Sequence, residues 1–258
     1  MSRLKDKVIC ITGASAGIGE ACAMAFAAAG SRLLLCARRL ERLTPVADTI
    51  KSTYGVDVHT FSLDVTDPEA VRQAFDGLPA AWTDIDILVN NAGKALGKAA
   101  FQEADLEDLD GMLDANVRGL IHVSRAVIPG MIERNAGHVI NIGSVAGKWT
   151  YPGGTVYCAT KAAVAAMTEG MKMDLHGTPI RVSTVDPGLV ETEFSLVRFH
   201  GDEKAAAKVY DDLTPLTAVD VAEVVAFCAG RPAHVNINQV IMMCTDQSSS
   251  TMVHRRSR

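Results

Sequence analysis

The chain holds 258 residues, 48% of them hydrophobic and 21% charged, with a formal net charge of −5. That is enough chain to bury a sizeable α/β core, and the mildly acidic balance excludes the basic stripe of a nucleic-acid binder. No segment is long and apolar enough to span a bilayer, and the opening MSRLKDKVICITG lacks the apolar run of a signal peptide.

Short β-rich runs alternate with helical stretches along the chain. KVICITG (7–13) reads as the first strand, and the glycine-rich ITGASAGIGEA leads from it into a helix. SRLLLCA (31–37) and VDVHTFSL (56–63) follow, with the helical RLERLTPVADTIKSTYG between them. Asp67-Pro68 opens another helix, since an acceptor side chain followed by proline is an N-terminal signal. DILVNNAG (86–93) precedes a long helical stretch over 106–135. HVINIGS (138–144), a helix around Tyr157, IRVSTVDPG (180–188), the helix of TPLTAVDVAEVVAFCAG and QVIMMC (239–244) complete the series. Several runs are almost wholly apolar, which suits strands covered on both faces. The pattern implies right-handed βαβ units and a single Rossmann-type doubly wound α/β domain over 1–258, with a seven-stranded parallel sheet flanked by helices. The C-terminal HRRSR follows the polar DQSSS, so the chain from about 245 to 258 reads as a loose tail.

The cysteines at 10, 22, 36, 158, 228 and 244 form no CxxC, which suggests reduced thiols in a cytoplasmic protein. The seven histidines form no HxxxH or HxxEH pattern, so no metal site is expected.

Three places carry chemistry. Gly13, Gly17 and Gly19 are spaced G-x-x-x-G-x-G between the first strand and first helix, where a backbone free to turn sharply lets a pyrophosphate approach the helix N-terminus. The second strand ends in Ala37, Arg38 and Arg39, where an NAD site usually places an acid for the ribose hydroxyl. A guanidinium binds a phosphate as a fork, so the cofactor expected is NADP with Arg38 as its main reader. The stretch YCATKAAVAA (157–166) is helical in composition, and Tyr157 and Lys161 are spaced i, i+4. Phenol and ammonium then share one face, and a nearby cation favours the phenolate.

In order along the chain stand TGASAGIG, NNAG (90–93), Asn116 in DANVRG, Ser144 in NIGSVAG, YCATK (157–161) and DPGLVETEF (186–194). This succession resembles the short-chain dehydrogenases/reductases, over nearly the whole chain. Longer stretches such as IPGMIERNAGHVINIGS and PAHVNINQVIMM look like the NADP-dependent 3-hydroxy acid (serine/allo-threonine) dehydrogenases of that family. The resemblance implies an oxidoreductase that interconverts small 3-hydroxy acids of the serine, allo-threonine or 3-hydroxypropionate type with 3-oxo acids or semialdehydes. It implies Tyr157 as general acid/base, Lys161 as the cation that stabilises the phenolate and bonds the nicotinamide ribose, and Ser144 as a donor to the substrate oxygen. Asn116 would support a helix kink and a water relay. Cofactor contacts are expected from Gly13, Ser15, Gly17, Ile18 and Gly19 in the first loop, and from Arg38, Arg39, Asp64 and Val65 on the adenosine side. Asn90, Ala92 and Gly93 after the fourth strand, and Pro187, Gly188, Val190 and Thr192 after the sixth, complete that set. The polar segment at about 190–215 would form a lid, in which Arg198 is expected to hold the substrate carboxylate, with Lys148 and Lys94 as rivals.

A 3-oxoacyl-thioester or general carbonyl reductase on the same fold is the alternative, and an NADP-sensing regulator without turnover a further one. The tyrosine, lysine and serine all present favour an enzyme. The resemblance also implies a homotetramer, with the small residues Ala159, Ala162, Ala163 and Ala166 on a helix face between subunits.

Overall fold

The computed structural model describes residues 3–256. In chain order the elements are β1 (Val8–Thr12), α1 (Gly17–Ala28), β2 (Arg32–Ala37), α2 (Leu40–Tyr54), β3 (Val58–Ser62), α3 (Pro68–Asp76), β4 (Ile87–Asn90), α4 (Leu106–Leu113), α5 (Gly119–Glu133), β5 (His138–Ile142), α6 (Thr155–Asp174) and β6 (Arg181–Pro187). There follow β7 (Val190–Glu191), α7 (Phe194–Arg198), α8 (Glu203–Lys208), β8 (Leu216–Thr217), α9 (Ala218–Ala229) and β9 (Gln239–Met242).

Seven strands form a parallel sheet in the order β3-β2-β1-β4-β5-β6-β9. The two faces of its central strands separate with period two. Ile9, Ile11, Leu33, Leu35, Val89 and Ile140 pack under α1, α2 and α9. Cys10, Leu34, Cys36, Leu88 and Val139 point the other way, against α3 and α5. Both faces are therefore apolar, which is why the sequence runs are nearly unbroken. Each large aliphatic side chain buried there contributes about 1.5–3 kcal/mol relative to exposure. The edge strand β3 is only half buried.

Asp67 caps α3 as expected, accepting from the amides of Glu69 (2.9 Å) and Ala70 (3.0 Å) with Pro68 at the first helical position. Thr217 and Asp220 form a reciprocal capping box at α9. The helical stretch over 106–135 is divided by a π-helical turn at Asp114–Arg118. A second, two-stranded sheet, β7 with β8, lies outside the main one.

The expectation of a loose tail from about 245 is corrected. Residues 245–256 fold back: the Gln247 side chain accepts from Leu189 N (2.8 Å), and Arg256 donates to Thr214 Oγ1 and Asp246 Oδ2. Polar residues dominate this stretch because its partners are backbone groups and hydroxyls of loops, not an apolar core. Ser257 and Arg258 of the HRRSR motif lie outside the described residues.

The strand order reverses between β1 and β4, which opens a crevice at their carboxyl ends. On the far side of β5, His138 is fully buried, with Nε2 2.7 Å from Ser183 Oγ. Burial, assisted by the charge of Arg181, pushes its pKa well below 6.5. Below pH 6.5 the unfolded chain binds a proton at this residue that the folded chain refuses, so stability falls as pH falls. His138→Gln should therefore flatten the acid limb of a urea-unfolding series between pH 6.5 and 5.5, where wild type loses about 1 kcal/mol more. Equal slopes for both proteins would assign the acid sensitivity elsewhere.

Candidate active site

The crevice is one continuous cavity of about 590 Å³, running from the end of β2 to the start of α6. Its floor at one end is the loop between β1 and α1. Gly13 (φ 65°) and Gly17 (φ 58°) sit in the left-handed region, which glycine enters without strain. Ala16 at the N-cap of α1 supplies no side-chain acceptor, so the first-turn amides are left for a ligand. Gly13, Ser15, Gly17 and Ile18 line the cavity. Gly19 does not; a Cβ there would overlap the Gly13 carbonyl, so its role is to let α1 approach the loop. The Asn91 side chain donates to Thr12 O (2.9 Å) and Gly13 O (3.0 Å), clamping the loop to the end of β4.

Arg38 and Arg39 line one end of the cavity, beside Ala37 and with no acid at that strand terminus. Asp64 and Val65 line it too. Asp64 also serves as a turn acceptor, taking bonds from Thr66 N (3.0 Å) and Thr66 Oγ1 (2.8 Å). Ala92 and Gly93 border the cavity. Asn90 does not: its side chain turns away into a buried network, donating to Ser124 Oγ (3.0 Å) and Asn141 Oδ1 (2.9 Å). Successive strand residues point to opposite faces, so the cavity neighbour is Asn91, not Asn90.

At the other end α6 brings Tyr157 and Lys161 to the cavity. Gly147 permits the close approach of α6, since a Cβ there would overlap the Lys161 backbone. The Lys161 ammonium lies 6.0 Å from the Tyr157 ring centroid and donates to Ile142 O at 2.8 Å. Burial lowers its pKa to about 8, against the pull of Asp186. The expectation of a phenol shifted toward its anion is not met in this state. Burial, then the neighbouring Tyr151, raise the Tyr157 pKa, while hydrogen bonding from Ser144 and the charge of Arg198 pull the other way. Ser144 lies two residues past β5 and caps a 3₁₀ turn through Ala146 N (3.1 Å), so it serves as turn cap and cavity residue together.

Asn116 does not line the cavity. It sits in the π-helical turn, 2% exposed, and its amide exchanges two 2.8 Å hydrogen bonds with the backbone of Lys94 and donates to Thr160 Oγ1 (3.0 Å). From within that turn, where the regular helix is broken, it ties the loop after β4 to α6.

Pro187, Gly188, Val190 and Thr192 line the wall after β6. From there α7, and Val209 and Tyr210 just after α8, border the cavity. Phe194 meets the Tyr157 ring edge-on at 5.8 Å, and Ser195 Oγ is 2.7 Å from the Tyr210 hydroxyl. The Arg198 guanidinium lies 5.9 Å from the Tyr157 ring centroid, held by Nε to Gly97 O (3.1 Å) and Nη1 to Tyr151 Oη (2.9 Å). Of its two rivals, Lys94 lines the cavity, whereas the Lys148 ammonium lies over the Trp149 ring at 5.4 Å and away from it. Sequence reading missed Asn91, Tyr151 and Phe194. The second asparagine of NNAG was the available signal for Asn91; the other two aromatics carry none.

A family model described as short chain dehydrogenase matches residues 7–201. The NADP-dependent 3-hydroxy acid dehydrogenase YdfG of Salmonella typhi is 49% identical over 250 residues, 96% of this chain and 99% of the relative. Sulfoacetaldehyde reductase 2 of Chromohalobacter salexigens is 48% identical over 244 residues, 94% of this chain and 96% of that protein. Among solved structures, the closed form of serine dehydrogenase complexed with NADP+ superposes with a TM-score of 0.90 at 46% identity, covering 96% of this chain and all of the other.

Proposed function

The chain belongs to the short chain dehydrogenase family, and from that premise we propose that it is an NADP-dependent oxidoreductase interconverting small 3-hydroxy acids with 3-oxo acids or semialdehydes. The observation that carries the reading is one continuous cavity, with an arginine pair and no acid at the end of β2 and Tyr157 beneath Arg198 at the other end.

The residues fit the coenzyme. The uncapped first turn of α1 and the left-handed glycines suit a pyrophosphate, and Arg38 with Arg39 suits a 2′-phosphate that an acid would repel. When bound, NADP accepts or returns the hydride. The protein orients the substrate and moves one proton. Tyr157 takes the hydroxyl proton during oxidation and gives it back during reduction. Lys161, one turn on, supplies positive charge beside the phenol, and Ser144 holds the substrate oxygen. Asn116 is a positioning residue through Lys94 and Thr160. Phe194 and the lid at 190–215 exclude water above the phenol.

Arg198 is the substrate anchor in this reading. Two of its nitrogens are held by Gly97 and Tyr151, which fixes the guanidinium plane and leaves Nη2 for an anion. A 3-hydroxy acid and sulfoacetaldehyde share one carbon between an anionic head and the reacting carbon. The relatives named for each of them thus support a cation at this place. A general carbonyl reductase would need no such anchor. The protein acts in the cytoplasm as a homotetramer, and exposed Leu106, Leu113, Ala159 and Ala162 support burial of α4 and α6 between subunits.

Three substitutions test the reading. Tyr157→Phe keeps the ring and should retain NADP binding by fluorescence titration while turnover falls at least about a hundredfold; turnover near wild type rejects it. Arg38→Asp should raise the Michaelis constant for NADP far more than that for NAD, and equal effects on the two would remove the 2′-phosphate assignment. Arg198→Met, assayed across serine, the threonine isomers, 3-hydroxyisobutyrate, 3-hydroxypropionate and a neutral alcohol, should weaken the carboxylates selectively, whereas uniform loss contradicts the anchor.

A further inference from the structure

The proton-transfer pair leaves one acid beneath it unexplained. Asp186, near the end of β6, is 4% exposed. Its carboxylate accepts from Thr184 Oγ1 and, at 2.5 Å, from Gln239 Nε2 of β9. Both donors are neutral, so neither balances the charge. The acid lies flush against β5: a Cβ on Gly143 would overlap its Oδ1. Gly143 directly follows Ile142, whose carbonyl receives the Lys161 ammonium. A buried carboxylate and a buried ammonium, 8% exposed, thus both approach the Ile142–Gly143 step at the end of β5.

An isolated charge is costly to bury unless an opposite charge accompanies it. Burial pushes Asp186 up and Lys161 down, and each charge opposes the other's shift. The remaining ionisable groups around the pair are Tyr157 on α6, Lys148 after β5 and Arg198 on α7, of which the two cations offer the ammonium no support.

We propose that Asp186 is a positioning residue for the proton-transfer pair: it is the countercharge that keeps Lys161 an ammonium at neutral pH, acting through the Ile142–Gly143 peptide. This rests on the reading of Tyr157 and Lys161 given above. A strand-end acid that merely ties β6 to β9 would leave the lysine's titration unchanged.

Asp186→Asn preserves shape and hydrogen bonding while removing the charge. In NADPH-linked reduction, the alkaline limb of the pH–rate profile should move to lower pH by about one unit, lowering turnover roughly tenfold on that limb. The low-pH plateau and the KM for NADPH should change little. A readout independent of turnover is a double-mutant cycle in urea-unfolding midpoints at neutral pH. Asp186→Asn should lower the midpoint when Lys161 is present, and leave it unchanged or raise it in a Lys161→Met background, where the acid lacks its countercharge. An unmoved limb, or equal midpoint changes in the two backgrounds, overturns the proposal. Should Asp186→Asn fail to fold, the Lys161→Met protein carries the test: with its countercharge gone, the buried Asp186 binds a proton on folding, so its urea-unfolding midpoint should rise relative to wild type as pH falls from about 7 to about 5. Parallel pH dependence of the two midpoints overturns the proposal. Tyr157→Phe run in parallel separates the two levels: turnover surviving there rejects the proton-transfer assignment, while the midpoint cycle still decides the role of Asp186.

Discussion

A lysine ammonium buried at the junction of α6 and the end of β5 is the constraint on which the site depends. Lys161 donates to Ile142 O at 2.8 Å, and that bond fixes both the depth of α6 and its rotation. Tyr157 lies one turn earlier on the same face, so its phenol is delivered to the cavity by the same contact. Gly147 lets the helix come close, and the turn capped by Ser144 is held between strand and helix. Placing one charge thereby places three side chains. Burial raises the phenol pKa and lowers that of the ammonium, so the pair is poised by its surroundings and not by direct contact.

The sheet determines where this junction faces. Parallel strands leave their carboxyl ends on one side, and the reversal between β1 and β4 leaves a gap there that no crossover covers. The glycine loop, the arginine pair and the Tyr157–Lys161 face all border that gap because each follows a strand end or a helix start. Helix α7 then borders the gap, held through Arg198 to Gly97 and Tyr151, while Tyr210 bonds Ser195 and Val190 O. The folded-back chain after Cys244 reaches the same wall, with Gln247 and Ser250 bordering the cavity.

What was legible in the sequence follows from the range of the forces involved. The seven strands were visible because a doubly covered strand must be apolar on both faces, and Val8–Thr12 is buried throughout. The glycine loop and the i, i+4 pair were visible because local geometry demands those residue types at those spacings. Asn91 was missed and the Asn90 side chain turns away from the cavity because one residue of strand register exchanges the two faces, and a pair of identical neighbours gives no cue to register. Tyr151 meets Arg198 across 47 residues, Asp186 meets Gln239 across 53, and Phe194 meets Tyr157 from another helix, with no local pattern to announce any of them. The C-terminal stretch read as loose because its hydrogen bonds go to loops remote in sequence, as from Gln247 to Leu189.

A crystal structure of the protein with NADP and a 3-hydroxy acid bound tests the central claim most directly. The account requires the Tyr157 and Ser144 hydroxyls to converge on the substrate oxygen beside the nicotinamide ring, with the 2′-phosphate against Arg38 and Arg39 and the carboxylate at Arg198. A coenzyme seated with its nicotinamide away from Tyr157, or a phenolic oxygen turned from the substrate, would contradict it.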